Sequence, residues 1–454
     1  METRSLKIAV IGGGIAGLAA AWELRGSAEV TIFEPGPLGG CIRTSSFGGK
    51  PVDEGADSFI TRVPGAVSLS RELGIDSELV APSAGSTLLW WDGHLRPIPD
   101  GLVVGVPSQL PSLVGSGILS PRGVARAALD LVLPRRRDPR ALTVRELIGD
   151  RFGYEVADRL VDPLVGTINA GWTGNLGAAE VVPQLVAVAE RSRSLMRGLR
   201  STEQVDTGPL FQAPVGGMGR LVEALIDALQ SNGVLLISEA VDSVSSLGGQ
   251  VVLTPTGESF DGAVVATPAR TAAAILGRGH DEMAPLADLP TASVALVTAA
   301  FSDLEAPDEV NGFLVPRGTD QLLTACSFGS NKWPQWGDPG RAVVRLSAGR
   351  YGDEAALKLD DVELTGRLIE ELGQALGRSV DPLEARVSRW PSAFPQYLPG
   401  HTSRVEAVDR ALRRRLPTVA LAGSSYRGIG IPSCIASGRN AARLVMERSR
   451  DLTG

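Results

Sequence analysis

The stretch KIAVIGGGIAG, Lys7–Gly17, decides the fold of this chain of 454 residues. Ile8–Ile11 is a continuous apolar run, as expected for a strand buried on both faces, and it leads directly into the pattern G-x-G-x-x-G at residues 12–17. The alanine-rich run Leu18–Leu24 then predicts a helix. A glycine-rich turn between a strand and a helix is the setting in which proteins bind the pyrophosphate of a dinucleotide.

Each glycine of this turn pattern has a physical role. The first glycine permits the tight turn, the second lets a pyrophosphate approach the backbone, and the third allows the helix to pack closely on the strand. The helix N-terminus adds unpaired N–H groups and a partial positive charge. The first predicted cofactor-binding residues are therefore Gly12, Gly13, Gly14, Ile15, Ala16 and Gly17.

A second predicted strand, Val30–Phe33, ends at Glu34. This acid stands about 20 residues beyond the glycines, where a carboxylate accepts the hydroxyl groups of a ribose. The chain therefore begins with a Rossmann-like dinucleotide site, although these residues alone do not distinguish FAD from NAD.

The other end of the chain repeats the order of strand, loop and helix. Val419–Gly423 reads as a buried strand, and a helix is expected over Ser433–Arg448, with Pro432 suited to its first turn. We expect the two ends of the chain to build one site.

Composition excludes several classes of function. The net charge of -7 argues against nucleic-acid binding, which needs a basic face. Cys41, Cys326 and Cys434 fit neither a disulfide framework nor a metal site, so a reducing, cytoplasmic compartment is expected. The first residues lead straight into a predicted strand, so no signal peptide is expected.

The chain has no run of about 20 apolar residues that would span a membrane. However, Gly101–Pro121 has no charged residue, and Arg122, Arg126 and the run Arg135–Arg137 follow it. This segment is either a buried loop or a weak peripheral contact with the anionic inner face of a membrane.

Two further segments carry a family resemblance. Leu38–Thr44 (LGGCIRT) and Asp53–Ser58 (DEGADS) resemble the second glycine strip of the FAD-dependent amine oxidase and protoporphyrinogen oxidase superfamily. Nicotinamide dehydrogenases lack this strip, so the resemblance implies FAD, which the porphyrinogen oxidases hold noncovalently. Cys434 also invites the alternative of a covalent flavin link, as in some amine oxidases.

Within that superfamily, the chain is most similar to the protoporphyrinogen and coproporphyrinogen III oxidase family, and to its actinobacterial coproporphyrinogen III oxidase branch. The similarity covers nearly the whole chain. The blocks that carry it are Gly55–Phe59, Pro97–Pro99, Gly105–Pro107, Asp162–Gly171, Gly312–Pro316, Ser330–Trp333, Arg345–Arg350, Pro395–Tyr397, Gly400–His401 and Gly428–Cys434.

The resemblance implies an α/β fold with an additional α-helical part. A Rossmann-like FAD-binding domain is expected from the discontinuous segments 1–85, 212–270 and 405–454. A substrate-binding domain with a mixed, mostly antiparallel sheet is expected from 86–105 and 271–404, and a helical subdomain from the insertion 106–211. Helical runs or spacing agree independently with this insertion at Leu119–Leu133, Val144–Phe152, Glu155–Val165 and Pro183–Leu199.

The resemblance also implies further FAD contacts. The C-terminal helix is expected to direct its N-terminus at the flavin, and the backbone of Val241 to meet the adenine. The other implied contacts are Gly40, Cys41, Arg43, Gly55, Ala56, Asp57, Ser58, Ser424, Ile429, Gly430 and Ile431.

The implied reaction belongs to heme biosynthesis. Coproporphyrinogen III would be oxidised to coproporphyrin III by three two-electron hydride transfers to the flavin, with O2 reduced to H2O2. Such chemistry needs no strong side-chain acid or base. Of the histidines His94, His280 and His401, only His401 is a candidate proton carrier, and a structural role is its alternative.

Propionate groups on the substrate need cations. Arg62, Lys332, Arg345 and Arg350 are the candidates, and Arg345 is favoured because it shares a strand face with Val343 and Ser347. The predicted substrate-binding residues are Arg62, Leu164, Thr167 and Arg345.

The sequence departs from the family at three points near the substrate. Thr167 stands where the family often has glycine, Asn169 where it often has an aromatic residue, and Thr87 where some relatives have a basic residue. Three alternatives therefore stay open: a protoporphyrinogen IX oxidase, an amine oxidase or carotenoid desaturase, and a flavin-binding redox sensor without turnover. Either a monomer or a homodimer is compatible with the sequence.

Overall fold

The computed structural model describes residues 5–134, 138–201, 208–277, 281–302, 304, 306–307 and 309–453. The predictions that concern Arg135–Arg137 and His280 lie outside these residues.

Strands lie on both sides of a helical stretch in the middle of the chain. The strands are β1 (Leu6–Ile11), β2 (Ala28–Phe33), β3 (Thr44–Phe47), β4 (Lys50–Asp53), β5 (Phe59–Ile60), β6 (Leu79–Val80), β7 (Ser86–Trp91), β8 (His94–Pro97), β9 (Leu102–Val103), β10 (Val106–Pro107), β11 (Phe211–Pro214), β12 (Leu235–Ile237), β13 (Ser243–Leu247), β14 (Gln250–Thr254), β15 (Ser259–Phe260), β16 (Gly262–Val265), β17 (Thr291–Phe301), β18 (Val310–Leu314), β19 (Leu323–Ser327), β20 (Ala342–Ala348), β21 (Glu384–Pro395) and β22 (Val419–Leu421).

The α-helices are α1 (Ile15–Leu24), α2 (Gly65–Glu72), α3 (Pro111–Val114), α4 (Pro121–Ala128), α5 (Val144–Phe152), α6 (Tyr154–Val156), α7 (Ala178–Val181), α8 (Pro183–Arg191), α9 (Leu195–Arg200), α10 (Gly219–Ser231), α11 (Ala269–Leu276), α12 (Gly329–Lys332), α13 (Asp361–Leu376), α14 (His401–Arg415) and α15 (Ile431–Thr453). Seven of the α-helices of the described residues, α3 to α9, lie in the helical stretch. A π-helical segment, Ala157–Gly166, continues α6.

The chain divides into two compact units. Unit 1 comprises residues 1–81, 209–289 and 402–454, and unit 2 comprises residues 82–208 and 290–401. Helices α3 to α9 fall within unit 2. The separate helical domain and the exact bounds of the three predicted domains stay predictions.

Unit 1 contains a parallel five-stranded sheet in the order β12-β2-β1-β16-β22. Distant parts of the chain meet in this sheet, since Ile8 pairs with Val30 on one side and with Gly262 on the other. Ile8–Ile11 is almost completely buried, as an apolar strand with a neighbour on each side requires. The Rossmann-like fold from discontinuous segments is confirmed.

Unit 2 contains a seven-stranded sheet in the order β21-β17-β20-β19-β18-β7-β8. Its neighbouring strands run antiparallel, except that β18 and β7 run parallel. The predicted mixed, mostly antiparallel sheet is therefore confirmed.

The helices of unit 2 follow the predicted apolar periodicity with one correction. The prediction of a helix over Val144–Phe152 is confirmed with the same bounds, whereas a single helix over Pro183–Leu199 is wrong, because α8 ends at Arg191. The buried Asp130 carboxylate accepts hydrogen bonds from the N–H groups of Leu195 (3.2 Å) and Met196 (2.9 Å). This distant carboxylate satisfies the first amides of a new helix, α9.

The uncharged segment Gly101–Pro121 is mostly folded into the helical core. Val106, Leu113 and Ile118 are fully buried, whereas Val114 is 70% exposed. No helix in the described parts of the chain is long and apolar enough to cross a membrane. Peripheral membrane contact stays a prediction.

Candidate functional site

The turn between β1 and α1 brings backbone against backbone. Gly12 has a φ of +109°, and a Cβ atom there would lie 2.8 Å from the carbonyl oxygen of Ala266 on the chain that follows β16. A Cβ atom at Gly17 would lie only 1.9 Å from the carbonyl oxygen of Gly12. Side chains are excluded at both positions, which is the requirement that the glycine pattern predicts.

Gly14 differs from its neighbours because a Cβ atom there would have nothing within 4 Å. It is the N-cap residue of α1, and no side chain caps this helix terminus. The first turn of α1 contains no acidic residue. The N–H groups of this ten-residue helix therefore face open space with their partial positive charge intact, as a pyrophosphate requires.

Glu34 follows β2 and lies beside the same turn. Its carboxylate accepts hydrogen bonds from the backbone N–H groups of Gly13 (2.8 Å) and Gly36 (2.9 Å). These bonds fix the acid at the edge of the glycine turn, and each carboxylate oxygen keeps a second lone pair for a ribose hydroxyl.

The second glycine strip lies directly on the first. The Gly39 N–H donates to the Gly13 carbonyl oxygen over 2.8 Å, and a Cβ atom on Gly40 would lie 3.3 Å from the Cα atom of Gly14. Gly39 and Gly40 both have positive φ angles, 103° and 60°. Cys41 and Arg43 follow as exposed residues at the edge of this strip.

A buried hydrogen-bond network holds this strip in place. The Asp53 carboxylate accepts from the Thr44 hydroxyl and from the Met218 N–H (2.8 Å), while the Thr44 oxygen accepts from the Gly219 N–H (2.7 Å). The predicted site residues do not include this role of Thr44 and Asp53. The pair Gly48-Gly49 was the available signal, because a hairpin turn there places Thr44 opposite Asp53.

The C-terminal helix packs against the first helix of the chain. A Cβ atom on Gly438 of α15 would lie 2.0 Å from the carbonyl oxygen of Ala16 in α1. The two ends of the chain therefore meet at the glycine turn, as the sequence predicts. In the loop before α15, Ser424 and Ile429 are half-buried and Gly430 is exposed.

Cys434 lies in the first turns of α15 and is buried. Its Sγ atom is 3.9 Å from the carbonyl oxygens of both Gly428 and Ile429. Burial, with a smaller contribution from the Cys41 thiol, raises the pKa of the Cys434 thiol to about 12. The thiol is therefore protonated at neutral pH and is a poor nucleophile.

The other predicted cofactor residues also lie in unit 1. Val241 is buried in the chain that follows β12, in an apolar cluster with Phe33. The segment 55–58 follows β4, and within it the Ser58 hydroxyl donates to the Asp57 carboxylate over 3.0 Å. Ala56 is exposed.

The predicted substrate residues are distributed over both units. Arg62 is exposed in unit 1, whereas Leu164, Thr167 and Arg345 belong to unit 2. Leu164 and Thr167 are half-buried at the C-terminal end of the π-helical segment. Arg345 is buried on β20, with its guanidinium carbon 5.8 Å from the centre of a Trp336 ring.

His401 has the environment of a structural residue. It is 2% exposed, and its ring stacks on that of Tyr397 with a centroid distance of 4.1 Å. The described residues contain no cluster of His, Cys, Asp or Glu that could hold a metal ion.

The parallel sheet, the open helix N-terminus, the two glycine strips and the acid after β2 define a dinucleotide-binding oxidoreductase. The family of flavin-containing amine oxidoreductases matches residues 15–446, and this chain belongs to that family. The protein is therefore a flavin-dependent oxidoreductase, and the residues of unit 1 fit its flavin cofactor.

Individual relatives match almost the full length of the chain. A coproporphyrinogen III oxidase from Mycobacterium tuberculosis (strain H37Rv) is 34% identical over 96% of this chain and 97% of its own. A coproporphyrinogen III oxidase from Bacillus subtilis (strain 168) is 30% identical over 96% of each chain. A crystal structure from Exiguobacterium sp. 255-15, provisionally assigned as a protoporphyrinogen oxidase, superposes with a TM-score of 0.89 at 27% identity, covering 98% of this chain and 99% of the other.

Proposed function

We propose that this protein oxidises coproporphyrinogen III to coproporphyrin III, with noncovalently bound FAD as its cofactor and O2 as the electron acceptor. The observation that carries this proposal is the near-complete coverage of coproporphyrinogen III oxidases at up to 34% identity. Over the complete reaction, one coproporphyrinogen III and three O2 give one coproporphyrin III and three H2O2, which balances the removal of six hydrogen atoms.

The shape of the unit 1 site supports FAD as the form of the flavin. The open N-terminus of α1 provides donors for a pyrophosphate, and Glu34 provides acceptors for the adenosine ribose. The second strip brings the half-buried backbone of Gly40 beside these groups. These three features would bind the dinucleotide part of FAD, which FMN lacks.

The state of Cys434 supports noncovalent binding. A covalent link would need a reactive sulfur, and burial holds this thiol in its protonated form at neutral pH. Cys41 is an exposed residue of the second strip. However, surrounding protein atoms partly exclude water from its thiol, and this desolvation raises the pKa of the Cys41 thiol.

The role of the protein in this reaction is to bind, orient and exclude water. Bound flavin supplies the hydride acceptor. The glycine turn and Glu34 would anchor the dinucleotide, and the half-buried Leu164 and Thr167 would present an apolar and a small polar surface to the macrocycle. Arg62 and Arg345 stay candidates for the propionate groups.

Protoporphyrinogen IX is the second candidate substrate, because the Exiguobacterium structure carries a protoporphyrinogen oxidase assignment. The two substrates differ in the number of propionate groups, four in coproporphyrinogen III and two in protoporphyrinogen IX. A cytoplasmic location, peripheral membrane contact and a monomeric or dimeric state stay predictions from the sequence.

Anaerobic mixing of the purified flavoprotein with each porphyrinogen tests the proposal. We expect faster bleaching of the flavin and faster formation of fluorescent porphyrin with coproporphyrinogen III. Preference for protoporphyrinogen IX would favour the second candidate. If neither compound bleaches the flavin, the porphyrinogen oxidase function is wrong, and the amine oxidase, desaturase and redox-sensor alternatives return.

Acid precipitation of the protein tests the cofactor. We expect the flavin to stay in the supernatant and to have the mass of FAD, whereas flavin that precipitates with the protein would contradict noncovalent binding.

A further inference from the structure

The block Asp162–Gly171 in unit 2 ends beside two arginine residues. An Nη atom of Arg317 donates to the Gly171 carbonyl oxygen over 3.1 Å, and the Tyr351 N–H donates to the Ala170 carbonyl oxygen over 2.7 Å. Ala170 itself is buried with a φ of +44°, which is strained for a residue with a side chain. Strain of this kind is retained where surrounding structure enforces it, and it occurs often at ligand sites.

Arg350 is the unusual member of this region. The residue is only 8% exposed, yet within the described parts of the chain no group forms a hydrogen bond or ion pair with its guanidinium. Its Nε atom is completely buried without a partner. A buried guanidinium is normally paired, because leaving its donors unsatisfied is costly.

The charges around Arg350 do not supply the missing partner. Burial lowers the pKa of Arg350, and the nearby positive charge of Arg317 lowers it further, while Asp353 and Asp162 raise it. Asp162 uses one carboxylate oxygen to accept from the Thr173 N–H (2.8 Å) and hydroxyl (2.7 Å). Asp353 is exposed. Two positive side chains thus share this region, and each has a buried Nε atom without a partner, although Arg317 donates through an Nη atom to the Gly171 carbonyl oxygen.

The missing partner must be an anion whose shape fits the donors. A guanidinium presents its N–H groups in a planar fork, and a carboxylate accepts two of them in parallel. A carboxylate would also relieve the repulsion between the two arginines, which neither a neutral ligand nor a cation would do.

We propose that Arg350, with Arg317 beside it, forms a binding site for a carboxylate group of the substrate. The inference rests on the proposed function, under which this carboxylate is a propionate of the porphyrinogen. It differs from the sequence prediction in favouring Arg350 over Arg345, since Arg345 has other interactions and lies near the Trp336 ring. Arg350 binds the substrate, and Arg317 is a positioning residue that also holds the loop at Gly171.

Binding of the product, coproporphyrin III, measures recognition of the propionate carboxylates without any contribution from the redox reaction. The flavin-loaded protein is titrated with coproporphyrin III and with its tetramethyl ester, following the quenching of porphyrin fluorescence. For Arg350→Gln we expect the Kd of the free acid to rise about tenfold or more, because hydrogen bonds between charged groups are lost. The Kd of the uncharged ester should change little, and Arg350→Lys should recover part of the difference.

Arg389→Gln is the control variant. Arg389 also belongs to unit 2, but it already donates to the Asp361 carboxylate (2.7 Å) and the Leu359 carbonyl oxygen (2.8 Å). This variant should bind both porphyrins as the unmodified protein does. Equal losses for acid and ester in Arg350→Gln would overturn the proposal, because they indicate a general change of shape, and so would no loss for either.

A second measurement needs no variant. The protein is treated with phenylglyoxal, which modifies arginine, with and without coproporphyrin III, and the modified residues are mapped by mass spectrometry. We expect the porphyrin to protect Arg350 and not Arg389. Equal modification of Arg350 with and without porphyrin would contradict the site.

The outcomes separate the two proposals. If coproporphyrinogen III bleaches the flavin but Arg350→Gln keeps the full preference for the free acid, only the Arg350 site is wrong. If no porphyrinogen bleaches the flavin, the proposed function fails first.

Discussion

The glycine turn of unit 1 and the arginine region of unit 2 build binding sites by opposite means. In the turn, Gly12 and Gly17 leave no room for a side chain, and backbone N–H groups provide the positive end of a helix. In unit 2, the buried side chain of Arg350 keeps unused donors beside the half-buried Arg317. A backbone site depends on space, whereas a side-chain site depends on how many partners each buried charge already has.

Arg151 sharpens this contrast within unit 2. It is buried like Arg350, but it donates to the Asp130 carboxylate over 2.6 Å and to the carbonyl oxygens of Asp130 and Pro134. A buried arginine with all these partners stabilises the fold, and one without partners indicates a ligand.

The largest effect is expected in the glycine turn. In Gly17→Ala the new Cβ atom would lie 1.9 Å from the Gly12 carbonyl oxygen, so the backbone of the turn must move. We expect this variant to lose bound flavin and most of its thermal stability, as measured by the ratio of flavin to protein and by thermal unfolding.

Gly14→Ala is the matched control, because its Cβ atom meets nothing within 4 Å. The variant should fold, and it should bind flavin more weakly because a methyl group enters the space expected for the pyrophosphate. If Gly17→Ala binds flavin as tightly as the unmodified protein does, then flavin binding does not require the absence of a side chain at Gly17.

A smaller effect is expected when the buried ion pair between Asp130 and Arg151 is broken. Asp130→Ala leaves Arg151 buried without its carboxylate and removes the acceptors at the start of α9. We expect the free energy of unfolding to fall by about 3–5 kcal/mol, as measured by urea unfolding. Asp158→Ala breaks a more exposed pair with Arg145 and should cost at most about 1 kcal/mol.

Arg350→Gln should destabilise the protein less than Asp130→Ala does, because it removes no described hydrogen bond. The opposite order of stabilities would show that Arg350 is a structural residue, and the comparison between the two arginines would then fail.

The smallest effect near neutral pH is expected from the ionisation of Cys434, because this effect on stability appears only above about pH 9. Its pKa rises from 9.0 to about 12 on folding, so the thiol ionises in the unfolded chain at a lower pH than in the folded protein. Cys434 therefore contributes no pH dependence to stability below about pH 9, and its ionisation favours unfolding as the pH rises from there towards 12. We expect the stability of the unmodified protein to fall more steeply than that of Cys434→Ala in this range, as measured by urea unfolding.

Flavin content provides the control for that measurement. Cys434→Ala should retain flavin that acid releases, as in the unmodified protein, because the site in unit 1 needs no side-chain nucleophile. Stability curves of the two proteins that run parallel above pH 9 would contradict the raised pKa.

Local patterns predicted the strand, the turn and the helix around the candidate cofactor site. Ile8–Ile11, the glycine turn and Glu34 are close in sequence, and their roles follow from one strand, one turn and one helix. Helix α5 was predicted to the residue because its apolar spacing is a local feature, and the structure adds a local capping box at Thr143 and Glu146.

Long-range contacts decided the features that the sequence analysis did not predict. The break between α8 and α9 is stabilised by Asp130, more than 60 residues earlier in the chain. Thr44 and Asp53 acquire their role only when Met218 and Gly219 come beside them.

By itself, the sequence determined the class of fold, the glycine strips and the family resemblance, because these depend on short-range geometry and on residue types in order. Only the tertiary structure distinguished Arg151 from Arg350. Both are arginines in the same unit, and whether a buried charge has a partner is decided by residues that folding brings to it from distant parts of the chain.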